Sequence, residues 1–242
     1  MRLLLVLATL LFAQLSAAQT LILNISEKGY PPYLLSEPTE QGRGVLYDVL
    51  ELITQRHNIQ IEIISVPRKR VEQLLTAGSF DATMAAREWI NSPQRFLFSD
   101  PIMQSQDVLF SKRETPLYFE RVEDLFGERI ATRLGYKYPL IDPYTVQQKI
   151  HRMDALTTEA MLKMVLADRA DATIVNRAAG QWLIANQPHL QNKFYITDKP
   201  INVFDLRLMF NQQWGDFVET FNRELAQMAA SGQLQQIIER YR

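Results

Sequence analysis

The sequence predicts an α/β fold in two lobes, two sheets with flanking helices, joined by extended strands. Two observations carry this. Short apolar segments alternate with amphipathic helical stretches in both halves of the 242-residue chain. The two β/α units are of similar size, and no Gly/Ser-rich linker separates them.

The elements follow in order. Residues 20–25 read as a strand, and a loop rich in Pro, Gly and Tyr fills 29–44. Val45, Leu46, Val49, Leu50 and Ile53 then recur at helical spacing. Ile61, Ile63 and Val66 restart a strand. Val71, Leu74 and Leu75 fit a second helix, with Gly78 just past its end as a stop. Residues 81–86 complete a β-α-β-α-β opening, which favours a parallel sheet. In the second half, 129–134 is strand-like up to Gly135, and 143–150 is expected to be helical. Thr158 can cap a helix running through Met161, Leu162, Met164, Val165 and Leu166. A strand over 171–175, a helix over 178–185 and strands over 193–196 and 203–210 follow. Phe217, Phe221, Leu225 and Met228 share one face of a terminal helix. Gly232 interrupts it, and 234–241 closes the chain.

The first eighteen residues are expected to lie outside this fold. Met1 and Arg2 precede an apolar run over 3–12, and Ser16-Ala17-Ala18 supplies small residues for cleavage. That is the pattern of a secretory signal, too short to span a bilayer. The chain has no cysteine, so neither disulfides nor a thiolate metal site nor a cysteine-linked lipid can anchor it. A formal net charge of −1 argues against nucleic acid as a partner.

Signatures of catalysis are absent from the sequence. There is no Gly-x-Ser-x-Gly elbow, no phosphate-binding loop and no His-Glu-x-x-His. His57, His151 and His189 are widely spaced and read as surface residues. Gly42-Arg43-Gly44 lacks a third glycine and reads as a turn, and Glu123-Asp124 as a solvated helix start. No cofactor, metal ligand or catalytic residue is nominated.

Several landmarks, taken together, resemble a family. They are Gly29-Tyr30-Pro31-Pro32-Tyr33, Gly44 before a helix bearing Asp48, and Leu75-x-x-Gly78-x-x-Asp81. Ser92-Pro93-Gln94-Arg95, Phe98-Ser99-Asp100-Pro101, Asp124-Leu125-Phe126-Gly127 and Ala170-Asp171-Ala172 follow. Gly232-x-Leu234-x-x-Ile237 with Tyr241 closes the series. In order and spacing they resemble the bacterial extracellular solute-binding proteins of polar amino-acid type, the periplasmic receptors of ABC importers. The resemblance spans nearly the whole chain after residue 18. It implies a type II periplasmic-binding-protein fold, with lobe 1 at 19–103 plus 205–242 and lobe 2 at 104–204. It also implies a soluble periplasmic monomer that closes on a small-molecule ligand, an amino acid or related anionic compound. Its partner would be an importer permease in the inner membrane, or a membrane sensor. A periplasmic dehydratase on the same scaffold is a third reading. It would need an acid or base such as Asp205 or Glu88 in the cleft.

The resemblance also nominates ligand-binding residues. Arg95 stands where the family's arginine grips a carboxylate, a task suited to the planar guanidinium fork. The stretch from Arg95 to Phe98 is shorter than in most members, so Arg87 or Arg70 are alternatives. Tyr30 offers an aromatic wall, whereas Tyr33 reads as structural. Trp89 lies just past the third strand and could narrow the pocket. Gly135 and Tyr136 replace a Gly-Ser/Thr-Thr turn and could present backbone groups to an anion. Asn176 stands where amino-acid receptors place an Asp for the α-ammonium. It keeps an acceptor but loses the charge, and Asp205 could supply what is missing.

Overall fold

In the computed structural model, which describes residues 19–27 and 29–241, strand β1 (Gln19–Asn24) opens the first β/α unit. The segment expected to be a secretory signal, 1–18, lies outside the described residues. Helix α1 (Val45–Arg56) comes next, then β2 (Ile59–Ile64), α2 (Val71–Thr76) and β3 (Ala82–Ala85). The apolar stripe of α1 is its buried face: Val45, Leu46, Val49, Leu50 and Ile53 all lie in the core. Strand β1 pairs in parallel with β2 on one side and β3 on the other. It is therefore an interior strand, and its Leu21 and Leu23 are fully buried.

Strand β4 (Leu97–Phe98) is short, and β5 (Met103–Lys112) is long. The second β/α unit contains β6 (Arg129–Arg133), α3 (Asp142–Val146), β7 (His151–Ala155), α4 (Thr158–Leu166) and β8 (Ala172–Asn176). Helix α5 (Arg177–Ala185), β9 (Phe194–Ile196), β10 (Asn202–Phe210), α6 (Gly215–Ala230) and α7 (Gln233–Glu239) complete the chain. Helix α3 stops at Val146 rather than running to 150, because the backbone turns left-handed at Gln148 (φ 58°). Strand β7 was not expected. Among the described residues it is an edge strand pairing only with β6, and its His-Arg-Met-Asp-Ala sequence is mostly exposed and shows no apolar alternation.

The strand order is β2-β1-β3-β10-β5-β8-β6-β7, with β4 on β10 and β9 on β5. Strand β10 belongs to both halves of this curled sheet. Its residues 202–206 pair antiparallel with β5, and its residues 207–210 pair with β3. Strand β5 in turn pairs through residues 107–111 with β8. These two antiparallel strands are the hinge between the lobes. One core packs around β1, α1, α6 and α7. Beyond the hinge, Val108 and Phe110 face one apolar layer and Leu109 the other, so helices cover both faces of that half. Among the described residues, no helix is long and apolar enough to cross a membrane.

This topology decides where a site can form. The carboxyl ends of β1, β2 and β3 face the junction from one lobe, and those of β6, β7 and β8 from the other. Loops after parallel strands are where α/β sheets bind ligands.

Candidate functional site

The loop after β1 reaches across the junction. Its backbone is tied to the start of α1, where the amides of Val45 and Leu46 donate to the carbonyls of Pro32 and Tyr33. Gly44 permits this close approach. Its φ is 103°, and a Cβ there would stand 2.6 Å from the Tyr33 carbonyl oxygen. The Tyr33 ring is buried and its hydroxyl meets two polar side chains. It donates to Asn176 Oδ1 at 2.6 Å, and it lies 2.7 Å from Ser105 Oγ. Asn176 Nδ2 donates to that same Ser105 Oγ. A phenol has one proton, so Ser105 must donate to Tyr33 Oη. The three groups form a closed ring of donors and acceptors drawn from a lobe-1 loop, the hinge and the end of β8.

Asn176 is also the N-cap of α5, its Oδ1 accepting from the Ala179 amide at 3.1 Å. Both acceptor positions of that oxygen are thereby filled. The Asn side chain thus locks the lobes and caps a helix, and has no lone pair left for an ammonium.

Beside this ring lies Asp107. It is the ladder partner of Asn176 on one side and of Asn202 on the other. Ladder partners, and residues two apart on a strand, share a face, so Asp107 projects on the same side as Ser105. Burial pushes its carboxyl up to about 6. Tyr30 packs on Tyr33 with ring centroids 5.4 Å apart. Burial first, then the nearby Asp107 charge, push the Tyr30 phenol well above its ordinary range. Burial pushes Tyr33 up to about 12, with the Asp107 charge adding a smaller push. Tyr138, from the loop after β6, is likewise raised by burial and by Asp107.

The remaining nominated residues fall into three places. Trp89 is half-buried after β3, its ring centroid 5.0 Å from that of Phe204 on the hinge, and its carbonyl lies 3.4 Å from the Arg68 guanidinium. Arg70 ends the short turn Arg68–Arg70 after β2 and is exposed at the lobe-1 rim. Arg87, just past β3, lays its guanidinium 4.7 Å from the Phe98 centroid. From the other lobe come Gly135 and Tyr136, which make a turn after β6. The Arg133 guanidinium stands 5.6 Å from the Tyr136 ring centroid. Next to them Lys137 Nζ donates to Asn91 Oδ1, a second bond between the lobes.

The structure does not bring Arg95 or Asp205 into this group. The Arg95 carbonyl accepts from Gln212 beyond the end of β10, and Leu97 pairs with Phe210. At strand rise, that is roughly 15 Å from the β3 end that faces the other lobe. Asp205 pairs with Gln104, on the face of the hinge opposite Ser105 and Phe204. There Arg207 neutralises it at 2.9 Å.

Tyr33, Ser105 and Asp107 were not nominated from sequence as ligand-binding residues. One cue was available for Asp107: a single acid directly before the apolar run Val108-Leu109-Phe110. A surface concavity of about 570 Å³ lies elsewhere, on the outer edge of α1 and β2. Its Asp48 is engaged by the Tyr241 hydroxyl at 2.7 Å and by the Arg43 amide at 3.0 Å, a structural clasp on the chain end.

Comparison with known proteins agrees with this architecture. A family model for the bacterial extracellular solute-binding proteins, family 3, matches residues 22–242. An arginine-binding periplasmic protein of Mannheimia haemolytica is 29% identical over 111 residues, 45% of this chain. That match spans about half of the relative's length, 46%. Among solved structures, an arginine 3rd transport system periplasmic binding protein from Legionella pneumophila superposes with a TM-score of 0.73. It is 18% identical, with 93% of this chain and 100% of that one covered. A histidine kinase sensor domain with similarity to periplasmic binding proteins also reaches 0.73, at 18% identity and 92% and 95% coverage. At such identities the likeness is one of fold.

Proposed function

The chain belongs to the bacterial extracellular solute-binding proteins of family 3, and on that premise we propose that it captures a small polar solute between its lobes and hands it to an ABC importer. The solute is an amino acid or a related small compound, and no chemistry is done on it. The observation that carries this is the convergence of Tyr30, Tyr33, Ser105, Asp107 and Asn176 where both lobes meet the hinge. Polar groups from two bodies around a flexible two-strand crossing suit capture by closure, in which a ligand touching both lobes shifts the hinge. In this reading 19–103 with 205–242 form one lobe and 104–204 the other. The segment 1–18 is removed on export, and the released protein works in the periplasm as a monomer. Tyr30, Trp89, Arg70 or Arg87, and the Gly135-Tyr136 turn line the cleft.

The test is thermal unfolding of the exported chain, first unfolded and refolded to strip any carried ligand, against amino acids, amines and organic acids. A compound bound only by the folded state stabilises it by about 2.7 kcal/mol at a hundredfold excess over its Kd. A shift confined to one chemical class, with contraction of the scattering envelope, is expected. No shift with any class would overturn the proposal.

The likeness to a kinase sensor domain favours a second reading, in which the closed form is read by a membrane sensor. Deleting the gene separates the two. Lost uptake of the bound solute supports import, and unchanged uptake with altered solute-dependent transcription supports sensing.

A further inference from the structure

We propose that Asp107 is the counter-charge for a cationic nitrogen of the captured solute. The inference rests on the solute-binding reading above and adds the chemistry of one end of the ligand.

Three observations converge. First, Asp107 projects from the hinge on the face that carries Ser105 and its bond to Tyr33, which sets the carboxyl at the floor of the cleft. Second, its ladder neighbours on the two flanking strands, Asn176 and Asn202, are neutral, and no lysine, arginine or histidine among the described residues forms an ion pair with it. Asp107 is half-buried, and a carboxylate partly withdrawn from water without a cation is unfavourable, a cost that a cation entering the cleft relieves. Third, tyrosines from both lobes lie within reach of its charge: Tyr30 and Tyr33 from the loop after β1, the latter bonded to Ser105 and Asn176 beside it, and Tyr138 from the loop after β6. Aromatic faces attract cations and tolerate their apolar stems.

The other candidates for this role are occupied. Asn176 has both acceptor positions of Oδ1 taken, and Asp205 is held by Arg207 on the opposite face of the hinge. The negative charge at the ligand is thereby moved one strand sideways, from the end of β8 to the hinge strand itself. A cation bound there also touches the element that bends, which couples charge recognition directly to closure.

The experiment is calorimetric titration of the refolded exported chain and of D107N with three probe sets. These are ammonium-bearing compounds (L-arginine, L-glutamine, putrescine), their N-acetyl derivatives, and nitrogen-free organic acids. An ammonium-bearing probe is expected to bind the native protein, its N-acetyl form weakly, and D107N to lose affinity by about tenfold or more. Equal binding by D107N, or binding of nitrogen-free acids alone, would overturn the role of Asp107 while leaving solute capture intact. Binding of no probe at all would instead overturn the solute-capture reading, and this inference with it. Should D107N fail to fold by circular dichroism, the native protein decides. The facing groups Tyr30, Tyr33 and Tyr138 do not titrate between about pH 5 and pH 7.5, so affinity must fall as Asp107 gains its proton. A flat profile over that range overturns the proposal.

Discussion

The Tyr33 hydroxyl donates to Asn176 Oδ1 at 2.6 Å, joining a loop of the first lobe to the last residue of β8 in the second. With Ser105 between them, the bond is one side of a closed triangle in which each group donates once and accepts once. A net hydrogen bond of this kind contributes about 1 kcal/mol, or roughly fivefold in an equilibrium. Tyr33→Phe removes the hydroxyl and leaves Asn176 and Ser105 bonded to each other. The ring stays in its apolar site, so the fold survives, but the closed arrangement weakens relative to an open one. The expected result is a larger radius of gyration by small-angle scattering without ligand, and an affinity lower by roughly fivefold. A scattering profile and an affinity identical to the native protein's would show that this contact does not hold the lobes.

Packing inside the second lobe gives a prediction that does not involve the cleft. Gly180 of α5 lies against the Phe110 ring on β5, and a Cβ built there would stand 2.4 Å from Phe110 Cζ. Phe110 is fully buried and also meets Phe194 edge-on at 6.3 Å, so the ring has little room to yield. Alanine favours a helix intrinsically, yet Gly180→Ala should destabilise by about 1–3 kcal/mol through overpacking. For a chain of this size the midpoint would fall by several degrees, on the order of 2–4 °C per kcal/mol. An unchanged or higher midpoint in a thermal scan would refute it.

Much of the fold was legible because burial follows period. The stripe of α1 and the apolar runs of β1 and β8 are buried in the structure as their spacing implied. Three strands escaped, of which β4 is only two residues long. Strand β7 sits at a sheet edge and has no apolar alternation to show. Strand β5 begins as a polar hinge and ends as core, so Met-Gln-Ser-Gln-Asp hides the strand that Val-Leu-Phe continues. The site was harder, because its geometry comes from pairing between segments distant in the chain. Asp107 meets Asn176 only through ladder register, and Asp205 lies on the wrong face by one residue of alternation.

The position of Arg95 has a direct consequence for ligand binding. Its motif suggested an anion grip, but its carbonyl is bonded to Gln212 at the end of the sheet remote from the other lobe. Arg95→Ala should therefore leave affinity within about twofold, since a residue without ligand contact contributes little beyond its own surface. Arg70 and Arg87 stand after β2 and β3, at the end that faces the second lobe. If the solute carries a carboxylate, it is these whose truncation weakens binding. Calorimetry on the three single variants checks this. A loss of more than about tenfold confined to Arg95→Ala would mean that its side chain reaches the cleft after all.

Asp107 gives the pH dependence of the unliganded protein a definite sign. Burial raises its carboxyl from the ordinary 3.8 to about 6 in the folded chain. The folded state therefore binds this proton more tightly than the unfolded state does. Its contribution is fully present below about pH 4, is lost as pH rises towards 6, and is constant above that. The shift corresponds to about 3 kcal/mol of destabilisation at neutral pH, as an order of magnitude. Ion-paired acids such as Asp171 are held low by Arg129 and act in the opposite direction, so the whole-protein profile mixes the two. The difference between D107N and the native chain isolates Asp107. That difference should be small near pH 4, grow in favour of D107N through pH 6, and then stay level. Chemical unfolding of both proteins at several pH values measures it. A difference independent of pH would mean that the Asp107 carboxyl is hydrated in the folded protein, and a bound cation should then have no effect on it. If the predicted difference is found, adding a saturating cationic ligand should shrink it by at least about 1.4 kcal/mol, the free-energy equivalent of the tenfold affinity difference, because the charge that burial disfavours then has its partner.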